Sequence, residues 1–232
     1  MIANVVNFLA VLIGGSIGLI LKKFIKKDLC DAILKVIGIA VIIFGIIGVI
    51  TSSITIEGNS LKSNYELVLL FSLVIGTLIG ELLNIDHTLN KFGNFIERKL
   101  NKSKFSLGFI NASLIFCVGA MALVGSVKAG LGDSKVIYLK SLIDGITSIV
   151  LASTLGFGVL FASFSVLIYQ GIITLIVLII GDIFDTTFIN TFSMVGYALV
   201  FCIGLNFIKE EKIKIANMLP SLLIVILYNI FV

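Results

Sequence analysis

The chain has 232 residues, of which 59% are hydrophobic and only 13% are Asp, Glu, Lys or Arg. Soluble domains average about 25% charged residues, so this composition argues against a soluble globular protein. The net charge of +4 does not indicate a nucleic-acid partner, because the basic residues lie in the links between apolar runs.

Seven stretches without any charged residue or histidine predict the membrane-spanning helices. They are residues 1–21, 36–56, 67–80, 105–127, 145–181, 186–208 and 215–232. A helix needs about 20 apolar residues to cross a bilayer, whereas 145–181 as one helix would be about 55 Å long. We therefore expect two helices there, with a turn within 158–165. Separately, Gly156–Phe157–Gly158 is expected to break the helix of the fifth span. The sequence predicts an all-α polytopic membrane protein with about eight spans, forming a single membrane domain over residues 1–232.

The basic residues predict the orientation of these spans. Positive residues mark the cytoplasmic face, and one set of alternate links holds most of them. The other side carries only four of the 17 lysines and arginines, namely Lys62, Lys128, Lys135 and Lys140. With eight spans, both termini are expected outside. The first lysine, Lys22, follows the first apolar run, so this run is expected to be a retained span and not a cleavable signal peptide.

The order of the spans suggests a repeat. Asn7 and Gly15 in the first span are spaced like Asn111 and Gly119 in the fourth. Residues 3–83 and 107–182 would then form two three-span repeats, which must be inverted because three spans is an odd number. Residues 186–232 would be an added C-terminal hairpin. Apolar residues at helical spacing over 85–101 predict an amphipathic helix on the membrane surface, which could simply cover a long link.

Polar residues at membrane depth are the candidate site, because they are costly there and need partners. We expect substrate to bind at Asn7, Asn111, Ser153, Thr154 and Gln170, with Lys140 and Asp144 at the outer mouth. Lys140 and Asp144 are four residues apart, so they can pair on one helix face, and Asp144 is expected to begin span five. Glu81 and Asp182, at the ends of spans three and six, are candidate ion-coupling residues. The alternative is that the hydroxyls bond to their own helix and the carboxylates reach the interface.

Enzymatic activity is not expected. Gly130–Leu131–Gly132–Asp133 matches the GxGD pattern of intramembrane aspartyl proteases, but no earlier span supplies the second carboxylate that this chemistry needs. No zinc-protease motif, phosphate-binding loop or nucleophile elbow is present in the sequence. We expect no cofactor and no metal, since His87 is the only histidine. The odd number of cysteines argues against a disulfide framework.

Short motifs occur in order along the whole chain. They include Val5–Val6–Asn7–Phe8–Leu9–Ala10–Val11, Gly132–Asp133–Ser134, Ala152–Ser153–Thr154–Leu155–Gly156, Tyr169–Gln170–Gly171 and Asn217–Met218–Leu219–Pro220. With these motifs the sequence resembles the YdfK/YqgA-like family of bacterial inner-membrane proteins, a family with a domain of unknown function. The resemblance implies a bacterial plasma-membrane protein, often assigned to transport, and it carries over no substrate or site residue.

The function expected from these observations is secondary transport of a small solute by alternating access, driven by a proton or sodium ion. Two alternatives stay open: a channel or pore, and a non-transporting membrane component that binds a partner protein. Saturable uptake would separate the first two, and a co-purifying partner would favour the third. A homodimer in the lipid bilayer is expected, because the small-residue faces Gly14 with Gly18 and Gly76 with Gly80 allow close helix contacts.

Overall fold

A computed structural model describes residues 1–22, 24, 27–57, 60–88, 90–91, 95, 105–117, 120–180 and 185–231. Its elements are α1 (Ile2–Lys22), α2 (Lys27–Ser53), β1 (Ile54–Glu57), β2 (Ser60–Ser63), α3 (Glu66–Leu82), α4 (Phe105–Cys117), α5 (Ala120–Gly130), α6 (Lys135–Leu155), α7 (Gly158–Ile180), α8 (Thr186–Ile208), α9 (Ile215–Met218) and α10 (Pro220–Phe231). The predicted helical membrane class is confirmed.

The number of spans is smaller than predicted. In the described part of the chain, five helices are long and apolar enough to cross a membrane, and six if α4 and α5 form one span bent by 60°. The third and last predicted spans are shorter, since α3 has 17 residues and Pro220 begins α10 directly after the one-turn helix α9 and Leu219. A helix of 17 residues is only about 25 Å long. The predicted count of eight is therefore not confirmed.

The long run 145–181 is divided between α6 and α7. The break is at Gly156, which has φ 86°, a conformation that favours glycine. The turn predicted within 158–165 is wrong, because these residues are helical. The break expected inside the fifth span at Gly156–Phe157–Gly158 is instead the point where α6 ends and α7 begins. The predicted start of span five at Asp144 is also wrong. Helix α6 begins at Lys135, which places Asp144 near its middle.

The chain forms two compact units. The first comprises Met1–Leu34 and Leu89–Ile183, with α1 packed along α6 and α7. Gly14 lies against the Gly145 carbonyl and Gly18 against the Ile149 carbonyl, so the missing side chains permit the close crossing of α1 and α6.

The second unit comprises Lys35–Thr88 and Phe184–Val232. Strands β1 and β2 pair as an antiparallel hairpin with Ile54 opposite Ser63, and α3 packs on α9 and α10. Gly76 contacts Ser221 and Gly80 contacts Asn217, so close approach through glycine recurs in this unit.

These units bear on three predictions. Helices α1 and α3 of the first predicted repeat belong to different units, and the inverted repeat stays a prediction. The glycine faces that suggested a homodimer are covered by helices of the same chain, so the homodimer also stays a prediction. Residues 85–88 are helical, but most of the amphipathic helix predicted over 85–101, together with Asp182 and Gly119, lies outside the described residues.

The α1–α6 crossing predicts opposite effects for two glycine substitutions in the first unit. In Gly14→Ala the new methyl group would overlap the Gly145 carbonyl oxygen and the Ser148 hydroxyl. We expect the melting temperature of the purified protein to fall by roughly 5 °C, because overpacking costs about 1–3 kcal/mol. Gly171→Ala is the control, since among the described residues no atom beyond the chain neighbours and backbone of its own helix lies within 4 Å of its new methyl group, and alanine favours helix. Equal melting of Gly14→Ala and Gly171→Ala would contradict the close crossing.

Candidate functional site

A buried ion pair lies within α6. The Lys140 ammonium is 2.6 Å from Asp144 Oδ2 and 2.8 Å from Oδ1, and the two side chains are only 7% and 6% exposed. Their spacing of four residues places them on the same helix face. Because isolated charges are very costly in a low-dielectric interior, each charge depends on the other to remain there.

Asn7 joins this ion pair to two other helices. Its Nδ2 donates to Asp144 Oδ2 at 3.1 Å and to Gln170 Oε1 at 3.1 Å. Asn7 and Gln170 are both 0% exposed. The hydrogen bonds therefore connect α1, α6 and α7 at one buried point.

A second asparagine extends the connection along α1. Asn4 Nδ2 donates to the main-chain oxygen of Gln170 at 3.2 Å and to Thr174 Oγ1 at 3.0 Å. The Thr174 hydroxyl in turn donates to the main-chain oxygen of Ser126, in α5, at 3.1 Å. We call this set the polar network; its members are Asn4, Asn7, Ser126, Lys140, Asp144, Gln170 and Thr174.

Three atoms of the polar network have no hydrogen-bond partner among the residues that the structure describes. They are Asn4 Oδ1, Asn7 Oδ1 and Gln170 Nε2. Buried polar groups in proteins are nearly always hydrogen-bonded, so each of these atoms calls for a ligand or an ordered water. The network thus offers two acceptors and one donor to a molecule that enters it.

The Asp144 carboxylate determines which way the side-chain amides of Asn7 and Gln170 point. It can only accept hydrogen bonds, so Asn7 must turn its NH₂ group toward Asp144. That NH₂ group also donates to Gln170 Oε1, which leaves Gln170 Nε2 as the open end. These amide orientations follow from the hydrogen-bond pattern, as is usual for Asn and Gln.

The structure brings together four of the predicted substrate-binding residues, Asn7, Lys140, Asp144 and Gln170. Asn111, in α4, is 3% exposed and its Nδ2 has no partner among the described residues, but no hydrogen bond of the network reaches it. The role of all five residues in binding a substrate stays a prediction.

Ser153 and Thr154 are not part of the polar network. Their hydroxyls both donate to the Val150 carbonyl, at 2.7 and 3.2 Å, which is the self-bonding arrangement left open as the alternative. At about 1.5 Å per residue, Ser153 lies roughly 13 Å along α6 from Asp144.

The candidate ion-coupling residue Glu81 is not part of the polar network. Glu81, in the second unit, pairs with Lys214 at 3.3 Å, and these side chains are 45% and 60% exposed. Asp182 lies outside the described residues, and both assignments stay predictions.

Asn4 and Thr174 were missed by sequence reasoning, although a signal existed. Asn4 precedes Asn7 by three residues and Thr174 follows Gln170 by four, so each shares a helix face with a predicted site residue. Ser126 gave no such signal, because it enters the network through its main-chain carbonyl, which any residue could supply.

The described residues include no group of three or more His, Cys, Asp or Glu side chains that could hold a metal ion. Cys117 and Cys202 are free thiols. The polar network itself consists of amides, one hydroxyl and one neutral ion pair, groups that are suited to hydrogen bonding.

Apolar helices of membrane-spanning length around a buried polar network define a polytopic helical membrane protein. The chain belongs to the family described as "Protein of unknown function (DUF554)", whose profile matches residues 2–230. This confirms the resemblance found in the sequence motifs.

Two relatives are similar over nearly the whole chain. One is the "Uncharacterized membrane protein YdfK" of Bacillus subtilis (strain 168), 36% identical over 225 residues, which are 97% of this chain and 93% of the relative. The other is the "Uncharacterized protein YqgA" of Escherichia coli (strain K12), 26% identical over 227 residues, which are 94% of this chain and 92% of the relative. No solved structure matches the chain.

The ion pair predicts strongly coupled effects of substitution. Lys140→Met alone leaves a buried carboxylate and Asp144→Leu alone leaves a buried ammonium, so each should cost about 3–5 kcal/mol of folding free energy. The double variant leaves no unpaired charge, and we expect it to recover most of that loss. Melting temperatures of the three variants in detergent, arranged as a double-mutant cycle, measure the coupling. A double variant as unstable as the sum of the single variants would contradict the pairing.

Proposed function

We propose that this protein is a secondary transporter that carries a small polar solute across the bacterial plasma membrane by alternating access, coupled to an ion gradient. The observation that supports it is the polar network, buried between helices of spanning length and carrying unpartnered polar atoms. Ionisable residues inside a membrane are costly and usually mark a substrate or ion pathway. A structural role alone would be served as well or better by apolar residues of similar volume.

The hydrogen bonds of the polar network support this proposal, because they join helices that alternating access would move. Asn7 provides the hydrogen bonds that tie α1 to α6 and α7 at the ion pair. A displacement of α1 would break these two bonds and open the network to one face of the membrane. Gly14 and Gly18 present no side chain to α6, so at these two points no side chain obstructs sliding of α1 along α6. Glu81 and Asp182 remain the proposed ion-coupling residues.

Transport predicts a bound solute whose uptake saturates and depends on Asn7. A ligand that binds only the folded protein raises its stability by about 2.7 kcal/mol at 100 times its dissociation constant, so melting shifts across a metabolite panel, with and without sodium and at two pH values, identify candidates. Uptake of a candidate into proteoliposomes should saturate and fall at least tenfold in Asn7→Leu.

The matched control is Asn229→Leu, which removes a half-buried amide from α10 in the second unit. There Asn229 Nδ2 donates to Thr191 Oγ1 at 2.9 Å. This variant should retain uptake. Flux that rises linearly with concentration would favour a pore instead. Absence of any melting shift or flux, together with a co-purifying protein, would favour a partner-binding component.

The proposed orientation places both termini outside the cytoplasm. Alkaline phosphatase fused after the full chain should then be active, because this enzyme needs the outer compartment to fold. The control is a fusion after Lys212, in the basic link between α8 and α9, which should be inactive as phosphatase and fluorescent as a green fluorescent protein fusion. The reverse pattern of activities would contradict the orientation.

A further inference from the structure

We infer that the polar network binds an uncharged solute with at least two N–H or O–H donors and one acceptor, such as a primary amide, a urea or a small polyol. This inference rests on the proposed function and names the substrate class of the same site. It follows from the charge of the site, the pattern of its open atoms and the residues that bound it.

The site has no net charge to offer an ion. Lys140 binds both carboxylate oxygens of Asp144, and Asn7 donates to one of these oxygens. Because Lys140 and Asp144 already compensate each other, a charged solute would bring a charge without a partner into a buried site. Burying an unpaired charge costs several kcal/mol, so the network favours neutral molecules.

The open atoms define the complementary hydrogen-bonding groups. Asn4 Oδ1 and Asn7 Oδ1 can only accept, and they lie one turn apart on α1, while Gln170 Nε2 can only donate. The carboxylate of Asp144 fixes the direction of the Asn7 amide, and Asn7 fixes that of Gln170. The site therefore requires a ligand with two donors and one acceptor, and it penalises a molecule that lacks them by leaving buried groups unpaired.

The neighbouring residues limit the size of the solute. Val11 and Gly14 follow Asn4 and Asn7 on the same buried face of α1. Val11 is 0% exposed and Gly14 lies against the Gly145 carbonyl. The polar part of this face thus ends within about two helical turns, or about 10 Å, which fits a solute of only a few heavy atoms.

The experiment compares uncharged and charged probes on the full chain in proteoliposomes. Urea, acetamide and glycerol are the uncharged probes, with sodium acetate and methylammonium chloride as the charged ones. Entry is measured by stopped-flow light scattering and by labelled uptake, and binding by the melting shift. We expect saturable entry of at least one uncharged probe and none of the charged ones.

Two variants test whether the open atoms bind the probe. Gln170→Met removes the free donor and Asn4→Leu removes one free acceptor, and both leave the bonds of Asp144 to Lys140 and Asn7 in place. Each variant should lower the entry rate of the uncharged probe at least tenfold. Each should also weaken the apparent affinity measured from the melting shift at least tenfold. Asn229→Leu should change neither, and variants are compared only when they melt as folded proteins.

The outcomes separate this inference from the proposed function. Saturable entry of a charged probe that depends on Gln170 would overturn the inference and leave transport standing. Binding of an uncharged probe that is lost in Gln170→Met, without any entry, would support the inference and overturn transport. If no uncharged probe binds or enters, ordered water alone occupies the network and the inference is wrong.

Discussion

The first unit depends on keeping one carboxylate and one ammonium neutral as a pair in a low-dielectric interior. Lys140 supplies the positive charge that compensates the Asp144 carboxylate, and Asn7 donates a further hydrogen bond to Asp144 from another helix. Asn7 can reach Asp144 only if α1 lies very close to α6, and the glycines Gly14 and Gly18 permit that approach. The ion pair and the glycine face of α1 are thus two parts of the same constraint: loss of either would leave a polar group buried without its partner.

Much of the architecture could be predicted from hydropathy alone, but the start of α6 could not. Counting charge-free runs treats each charged residue as a sign of water, so it placed Lys140 and Asp144 outside the membrane. The structure has both residues inside a helix that begins at Lys135. Lys140 and Asp144 are four residues apart, so they can pair and cancel each other's charge. Counting charged residues one at a time does not detect such pairs. The same rule counted the run at 215–232 as a full span, although its helices cover only Ile215–Met218 and Pro220–Phe231.

The polar network was also only partly predictable, because its residues are far apart in the sequence. Asn7, Lys140, Asp144 and Gln170 could each be selected from the sequence, because polar residues within apolar runs are rare and costly. Their meeting point could not, since α1 and α7 are separated by more than a hundred residues and no local rule pairs Asn7 with Gln170. Ser153 and Thr154 were equally plausible by composition, yet their hydroxyls bond to their own helix. A serine or threonine hydroxyl that donates to a main-chain carbonyl of its own helix is less available to bind a substrate.

The position of the ion pair within a single helix has a consequence for the biosynthesis of the protein. A lone lysine or aspartate at the centre of a helix costs about 2.5–3.5 kcal/mol on membrane insertion. Lys140 and Asp144 neutralise each other as soon as α6 is helical, so the insertion machinery meets a dipole and not two ions. The amides of Asn4 and Asn7 enter the bilayer with the first helix and gain their partners only when α6 and α7 have been made. Charge neutralisation is therefore an early and local event in assembly, whereas amide pairing is late and depends on the last helix of the unit.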